Sequence, residues 1–226
     1  MGPLVKICGL RSVEALDAAL EAGADLVGFV RYPRSPRHIE LTVGRKLSAR
    51  ARGKAVRVAL TVDADDEELS SILAALDPDL LQLHGEETPE RAAEVRARFG
   101  RPVMKAVGIA EEADLARLAS YAEVADRILL DAKPPKTAEA LPGGNGLSFD
   151  WRLVAGLDPK LPFMLSGGLA PENVAAAIGL TGARALDVSS GVERSPGEKD
   201  PARIEAFVRA ARSAWADLDK RKDKVA

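Results

Sequence analysis

The chain is poor in the residues that most often announce a mechanism. Its 226 residues include one cysteine, Cys8, so no intramolecular disulfide can form. Two histidines, His38 and His84, beside one cysteine do not support a His/Cys metal cage. No segment reaches the roughly 20 apolar residues that span a bilayer. The opening MGPLVKICGL has a single lysine and no long apolar run, unlike a secretory signal. An excess of one charge sign is also missing: Lys+Arg is 32 and Asp+Glu is 34, a formal charge of −2. That excludes a nucleic-acid binder that works through global charge, although a local basic cleft can still hold a small anion. Neither a Walker motif nor G-x-G-x-x-G occurs, so no nucleotide is indicated. These absences predict the cytoplasm as compartment, with no membrane and no nucleic-acid partner.

What is present is an ordinary globular composition, 46% hydrophobic and 29% charged. Single α/β barrels commonly fill a chain of this length, and one such domain buries roughly 70–75% of its unfolded surface. Short β-branched runs alternate with amphipathic stretches. Strands are predicted at 4–8, 25–30, 56–62, 80–85, 102–109, 127–132, 162–168 and 185–191. The helices between them carry start and stop signals: Ser12 before VEALDAALEAG, Thr88-Pro89, and Pro171. Further helices are predicted from Thr42, over 65–76, over 112–122 and from Pro201 to Leu218. Eight strand–helix units without a break in composition predict an α/β fold, a single-domain (β/α)₈ TIM barrel of eight parallel strands over 1–218. An open doubly wound sheet is the competing arrangement. The charged end, 219–226, is predicted to fray.

Active groups of such barrels sit at the C-terminal ends of the strands, and inward positions step by two along each strand. Lys6 and Cys8 face inward if Ile7 faces the helices. Arg31, Arg34 and Arg37 follow the second strand, and Gln82 and His84 close the fourth. Asp131 ends the sixth, Ser166-Gly167-Gly168 the seventh, and Ser189-Ser190-Gly191 the eighth. Paired glycine turns after strands seven and eight suit a phosphate, because bare backbone N–H groups can approach its oxygens. Cys8 reads either as a small buried apolar residue or as a thiolate base. Asp131 reads as a salt-bridge partner or as a general acid. A thiol and a carboxylic acid across a barrel mouth would make an acid/base pair. Arg37, after Ser35-Pro36, is either a solvated loop arginine or a bidentate clamp for a carboxylate. His84 is an orienting or a capping group. Asp187 and Lys6, inward on adjacent strands, are expected to pair beneath the site.

Seven segments carry a resemblance: KICGL (6–10), GFV…SPRHI (28–39), LQLHGEE (81–87), LLDA (129–132), GGNGLSFDW (143–151), LSGGLAPENV (165–174) and DVSSGVE…GEKD (187–200). In this order, over nearly the whole chain, they resemble the phosphoribosylanthranilate isomerase family of tryptophan biosynthesis. Family members usually carry an aromatic residue where Arg31 stands. The resemblance implies a cofactor-free, metal-free Amadori rearrangement of phosphoribosylanthranilate to a 1-amino-1-deoxyribulose phosphate. It implies Cys8 as base and Asp131 as acid, with Arg37 on the anthranilate carboxylate. Gly167, Gly168, Ser190 and Gly191 would hold the phosphate; Lys6, Gln82, His84 and Asp187 are expected in support from their places at the strand ends. The thiol is expected to need only a modest downward pKa shift, and the loop 133–148 is expected to close over substrate. The partner is a small phosphosugar, and the chain a monomer or homodimer. The competing readings are another phosphosugar-converting barrel enzyme and a non-catalytic phosphosugar-binding barrel.

Overall fold

The computed structural model describes residues 2–134, 143–144, 146–158 and 161–223. Eight parallel strands close into a barrel in chain order: β1 (Leu4–Cys8), β2 (Leu26–Arg31), β3 (Val56–Thr61), β4 (Leu80–Leu83), β5 (Val103–Ile109), β6 (Arg127–Ala132), β7 (Phe163–Leu165) and β8 (Ala185–Val188). Around them lie α1 (Val13–Glu21), α2 (Leu41–Ala51), α3 (Asp66–Leu76), α4 (Pro89–Phe99), α5 (Leu118–Ala122), α6 (Val174–Thr181) and α7 (Pro201–Asp223). The open-sheet alternative is excluded by the pairing of β1 with β8, which sets Lys6 beside Asp187.

Alternation along the strands sorts the side chains into two cores. Val5, Ile7, Val27, Phe29 and Leu186 point outward and pack under the helices. Leu26, Val58, Leu80, Met104, Leu129 and Met164 point inward and plug the barrel's N-terminal end. Water is thereby excluded from below, and the polar inward positions are confined to the other end. Local signals start the helices as their sequence requires. The Ser12 hydroxyl accepts from the Ala15 N–H at 3.1 Å, and the Thr88 hydroxyl from the Arg91 N–H at 3.2 Å with Pro89 in the first turn.

Several boundaries differ from the sequence reading. The stretch 112–122 splits into a 3₁₀ turn, Glu112–Arg117, and α5, because Asp114 accepts from the Ala110 and Glu111 N–H groups and tightens the entry. The helix after β7 starts at Val174 rather than Pro171. The Asn173 side chain accepts from the Ala170 N–H and donates to the Gly168 carbonyl, which closes a turn first. After β8 the chain leaves the barrel as a 3₁₀ turn, Ser190–Val192. It then forms an unexpected antiparallel hairpin of β9 (Glu193–Ser195) and β10 (Glu198–Lys199). Helix α7 continues past Leu218 to Asp223, into the stretch expected to fray; Arg184 ties it down with an ion pair to Asp219 at 2.7 Å. Of the loop expected to close, residues 135–142 and 145 lie outside the described residues.

Candidate active site

At the C-terminal ends of the strands lies a solvent-open cleft of about 760 Å³. Its walls bring together Cys8, Arg37, His84 and Asp131 with Gly167, Gly168 and Ser190. Residues from both ends of the chain therefore meet at one mouth, because barrel closure makes β1 and β8 neighbours. Val30 and Leu60 pack beside Cys8 and give the cleft one apolar wall.

Beneath the thiol, Lys6 and Asp187 form an ion pair at 2.8 Å, with side-chain exposures of 0% and 5%. Ser166 adds a hydroxyl donor to the second Asp187 oxygen at 3.3 Å. Burial alone would lower the Lys6 pKa, but the adjoining carboxylate overrides it and the net shift is upward. The ammonium thus stays charged next to Cys8. Cys8 differs from the sequence reading. Its pKa is raised rather than lowered, because burial of the thiolate outweighs the attraction of Lys6. The resting group is a protonated thiol.

Across the cleft, Asp131 accepts from the Ala132 N–H at 2.9 Å, and its other oxygen lies 3.3 Å from His84 Nε2. Gln82 Nε2 is 2.7 Å from His84 Nδ1. With the amide donating, Nδ1 is the acceptor and the ring proton sits on Nε2, toward Asp131. Among the described residues that Nε2 has no aligned hydrogen-bond partner, and it is buried. It is an unsatisfied donor at the cleft wall, beside a carboxylate. Gly143 covers this edge: a Cβ there would lie 2.5 Å from His84 Nε2 and 2.9 Å from the Asp131 carboxylate.

Arg37 is neither solvated nor independent. It is buried, and its Nε and Nη2 donate to the two carboxylate oxygens of Glu193 at 2.8 and 2.7 Å. Nη1 lies against Gly144. Lys199 backs the pair, with Nζ 2.7 Å from Glu193 and further bonds to the Ser189 carbonyl and hydroxyl. Ser189 in turn donates to the Cys8 carbonyl at 3.1 Å. Burial pushes the Glu193 carboxyl up, but Arg37 and Lys199 together hold it below the usual carboxylate range. Arg31, the departure from the family pattern, turns away from the cleft. Its Nη1 donates to the Ile39 carbonyl and lies 3.2 Å from His38 Nε2, which fastens the loop that carries Arg37.

The glycine turns follow steric necessity. Gly167 and Gly168 have φ of +81° and +68°, and a Cβ on Gly168 would press on Ser148. Both line the cleft, with Ser190 opposite. Gly191 has a different reason to be glycine: a Cβ would sit 1.9 Å from the Leu169 carbonyl. It lets the loops after β7 and β8 meet, which forms the turn-on-turn cradle.

The sequence reading did not single out four buried charges. Glu193 and Lys199 lie in the GVE…GEKD stretch. Lys105 donates to the Gly85 carbonyl at 2.6 Å and to Glu87 at 3.0 Å, and Glu87 accepts from the Asp63 and Gly85 N–H groups. That pair fixes the turn that follows His84. Glu87, Glu193 and Lys199 stand as charged residues within the segments that carry the resemblance, and Lys105 as a lone charge within the apolar run of β5, but what they bond to was not legible. Among the described residues, no three His, Cys, Asp or Glu side chains converge to hold a metal ion.

Comparison with known proteins bears on this cleft. The family model described as N-(5'phosphoribosyl)anthranilate (PRA) isomerase matches residues 5–210. An N-(5'-phosphoribosyl)anthranilate isomerase of Rhodopseudomonas palustris (strain BisB5) is 58% identical over 214 residues, 95% of this chain and 98% of that protein. Among solved structures, a dimeric phosphoribosylanthranilate isomerase from Thermotoga maritima, in a form made monomeric, superposes with a TM-score of 0.81. It is 37% identical, over 93% of this chain and 99% of that one. A phosphoribosylanthranilate isomerase in complex with reduced 1-(o-carboxyphenylamino)-1-deoxyribulose 5-phosphate also gives 0.81, at 36% identity over the same shares of the two chains.

Proposed function

The chain belongs to the N-(5'-phosphoribosyl)anthranilate isomerase family, and from that premise we propose how its barrel mouth performs the reaction. It is an enzyme of tryptophan biosynthesis, an isomerase acting on N-(5'-phosphoribosyl)anthranilate. The observation that carries the mechanism is the single cleft shared by a thiol, a carboxyl, a guanidinium and two glycine turns. The phosphate rests on Gly167, Gly168 and Ser190, with Gly191 setting their spacing. The carboxylate of the anthranilate meets the Nη1 edge of Arg37. The ribose then spans the mouth between Cys8 and Asp131.

Asp131, in its acid form, donates a proton to the furanose ring oxygen as the C1′–O bond breaks, and the nitrogen lone pair forms a C1′=N iminium. The Cys8 thiolate removes the C2′ proton, and the C2′–H electrons become the C1′=C2′ bond of an enolamine. Loss of the enol proton and protonation at C1′ give the 2′-ketone. The resting thiol is protonated, so the working state has the pair's one proton moved from sulfur to Asp131, with solvent carrying the exchange. Lys6 favours that state by stabilising the thiolate. The His84 Nε2–H suits the oxygen that carries developing charge as the ring opens.

The test is turnover of phosphoribosylanthranilate generated in situ, followed by loss of its fluorescence. Cys8→Ser and Asp131→Asn should each lower kcat by more than about a hundredfold with little change in KM. Arg37→Ala should mainly raise KM. Full turnover by Cys8→Ser would remove the thiol from the mechanism. For assembly, the dimeric Thermotoga maritima protein keeps the homodimer beside the monomer, and sedimentation velocity separates them. Among the described residues no helix is long and apolar enough to cross a membrane. The cytoplasm is the compartment proposed, since a base that is a free thiol needs reducing surroundings.

A further inference from the structure

We infer that Lys199, which lines no part of the cleft, is the residue that makes the carboxylate-binding wall cationic. Arg37 spends two of its three guanidinium nitrogens on both oxygens of Glu193, at 2.8 and 2.7 Å. Arg37 and Glu193 together are therefore neutral, and a neutral buried pair attracts a third group only through its dipole. Lys199 Nζ sits 2.7 Å from the same carboxylate, with its side chain 1% exposed, and brings the cluster to a net charge of +1. The rest of its coordination, the Ser189 carbonyl and hydroxyl, carries no formal charge. Lys199 is thus a positioning residue. It draws electron density of Glu193 away from Arg37 and leaves the Nη1 edge, which among the described residues donates no hydrogen bond, to act as a cation. This rests on the reading that Arg37 receives the substrate carboxylate.

The arrangement has a pH signature. Burial lowers the Lys199 pKa to about 8, against the opposing pull of Glu193. As pH rises through that value the ammonium loses its proton and the cluster falls to zero charge, so carboxylate binding weakens. The other charged groups that face it come from three directions. Glu193, on β9, is held below the usual carboxylate range and stays ionised. Arg37 comes from the loop after β2, and Cys8 lies on β1 above the Lys6–Asp187 pair. Burial pushes the thiol up, so Lys199 titrates first. Asp200, the next residue in the chain, turns its carboxylate to the Ala202 and Arg203 N–H groups of α7.

The experiment compares two ligands on the full chain by calorimetry. One is reduced 1-(o-carboxyphenylamino)-1-deoxyribulose 5-phosphate; the other is its 1-phenylamino counterpart, which lacks only the carboxylate. Their Kd ratio isolates the carboxylate, because the phosphate, with a second pKa of about 6, is common to both ligands and its titration cancels in the ratio. Lys199→Met should cut the preference for the carboxylate ligand about tenfold or more at neutral pH. The wild-type preference should fall as pH rises through about 8, and Lys199→Arg, which keeps the charge and does not titrate, should retain the preference without the fall. Where Lys199→Arg does not fold, the wild-type profile and Lys199→Met, whose preference should be low and flat with pH, decide alone. A folded Lys199→Met with unchanged preference, or a wild-type preference flat with pH, overturns the inference. Arg37→Ala separates the two readings. If it leaves the preference intact, the Arg37 assignment itself fails. If it abolishes the preference and Lys199→Met does not, only the role of Lys199 fails.

Discussion

Replacing Lys6 by methionine tests stability and chemistry together. The Lys6–Asp187 pair is 2.8 Å long with side-chain exposures of 0% and 5%, so almost no solvent shares the charge. Methionine fills most of the lysine volume and leaves no large cavity. What it removes is the countercharge, and among the described residues the one other side chain that hydrogen-bonds the Asp187 carboxylate is Ser166, at 3.3 Å. Breaking a buried pair from one side costs about 3–5 kcal/mol. For a barrel of this size each kcal/mol moves Tm by roughly 2–4 °C, so a drop of roughly 6–20 °C is expected in a thermal scan. Lys6→Met together with Asp187→Asn should recover most of that loss, because no uncompensated charge then remains buried. Activity should not recover in parallel. Lys6 opposes the burial that raises the Cys8 thiol pKa, and its pull exceeds the opposite push from Asp187. Removing both therefore leaves the thiolate scarcer than in the wild type, with turnover lower by about tenfold for each unit of extra shift. A single variant within about 1 kcal/mol of wild type would refute the reasoning that this pair is held against desolvation.

Other outcomes follow from the same geometry. Gly28→Ala places a Cβ 2.9 Å from Cys8 Sγ and 3.1 Å from Cys8 Cα; overpacking of this kind costs about 1–3 kcal/mol and should lower kcat by up to about a hundredfold as the thiol shifts. Steady-state rates of that variant matching wild type would show that the thiol's position is not limiting. Because Cys8 and Asp131 share one proton in the working state, kcat at saturating substrate should be flat through neutral pH. It should then fall only as the thiol, raised above its ordinary 9.0, loses its proton; a steep rise of kcat with pH through neutrality contradicts that. Lys105→Met leaves Glu87 buried without its ammonium, 3.0 Å away in the wild type. A loss of about 3–5 kcal/mol in urea unfolding is expected, with a milder loss for Glu87→Gln.

Local periodicity was enough to read the architecture. Each strand–helix unit is encoded within a few tens of residues by alternation, caps and breakers, and these act over distances the chain itself sets. That is why Lys6, Cys8 and Asp131 could be placed facing inward, and why Ser12 and Thr88-Pro89 could be read as helix starts. The glycine turns after β7 and β8 were legible for the same reason, since backbone freedom at Gly167 and Gly168 is a local demand. Tertiary structure decided what those residues meet. Glu193 reaches Arg37 across 156 positions only because β8 closes on β1 and the β9–β10 hairpin folds back against the loop that carries Arg37. The direction of the Cys8 pKa shift depends on how completely the barrel excludes water, a property of the packed whole rather than of KICG. Gly191 is glycine because of a carbonyl on another loop, not because of its own φ. Charge partners, desolvation and close approach are set by which strands become neighbours, and that register is fixed only when the barrel shuts.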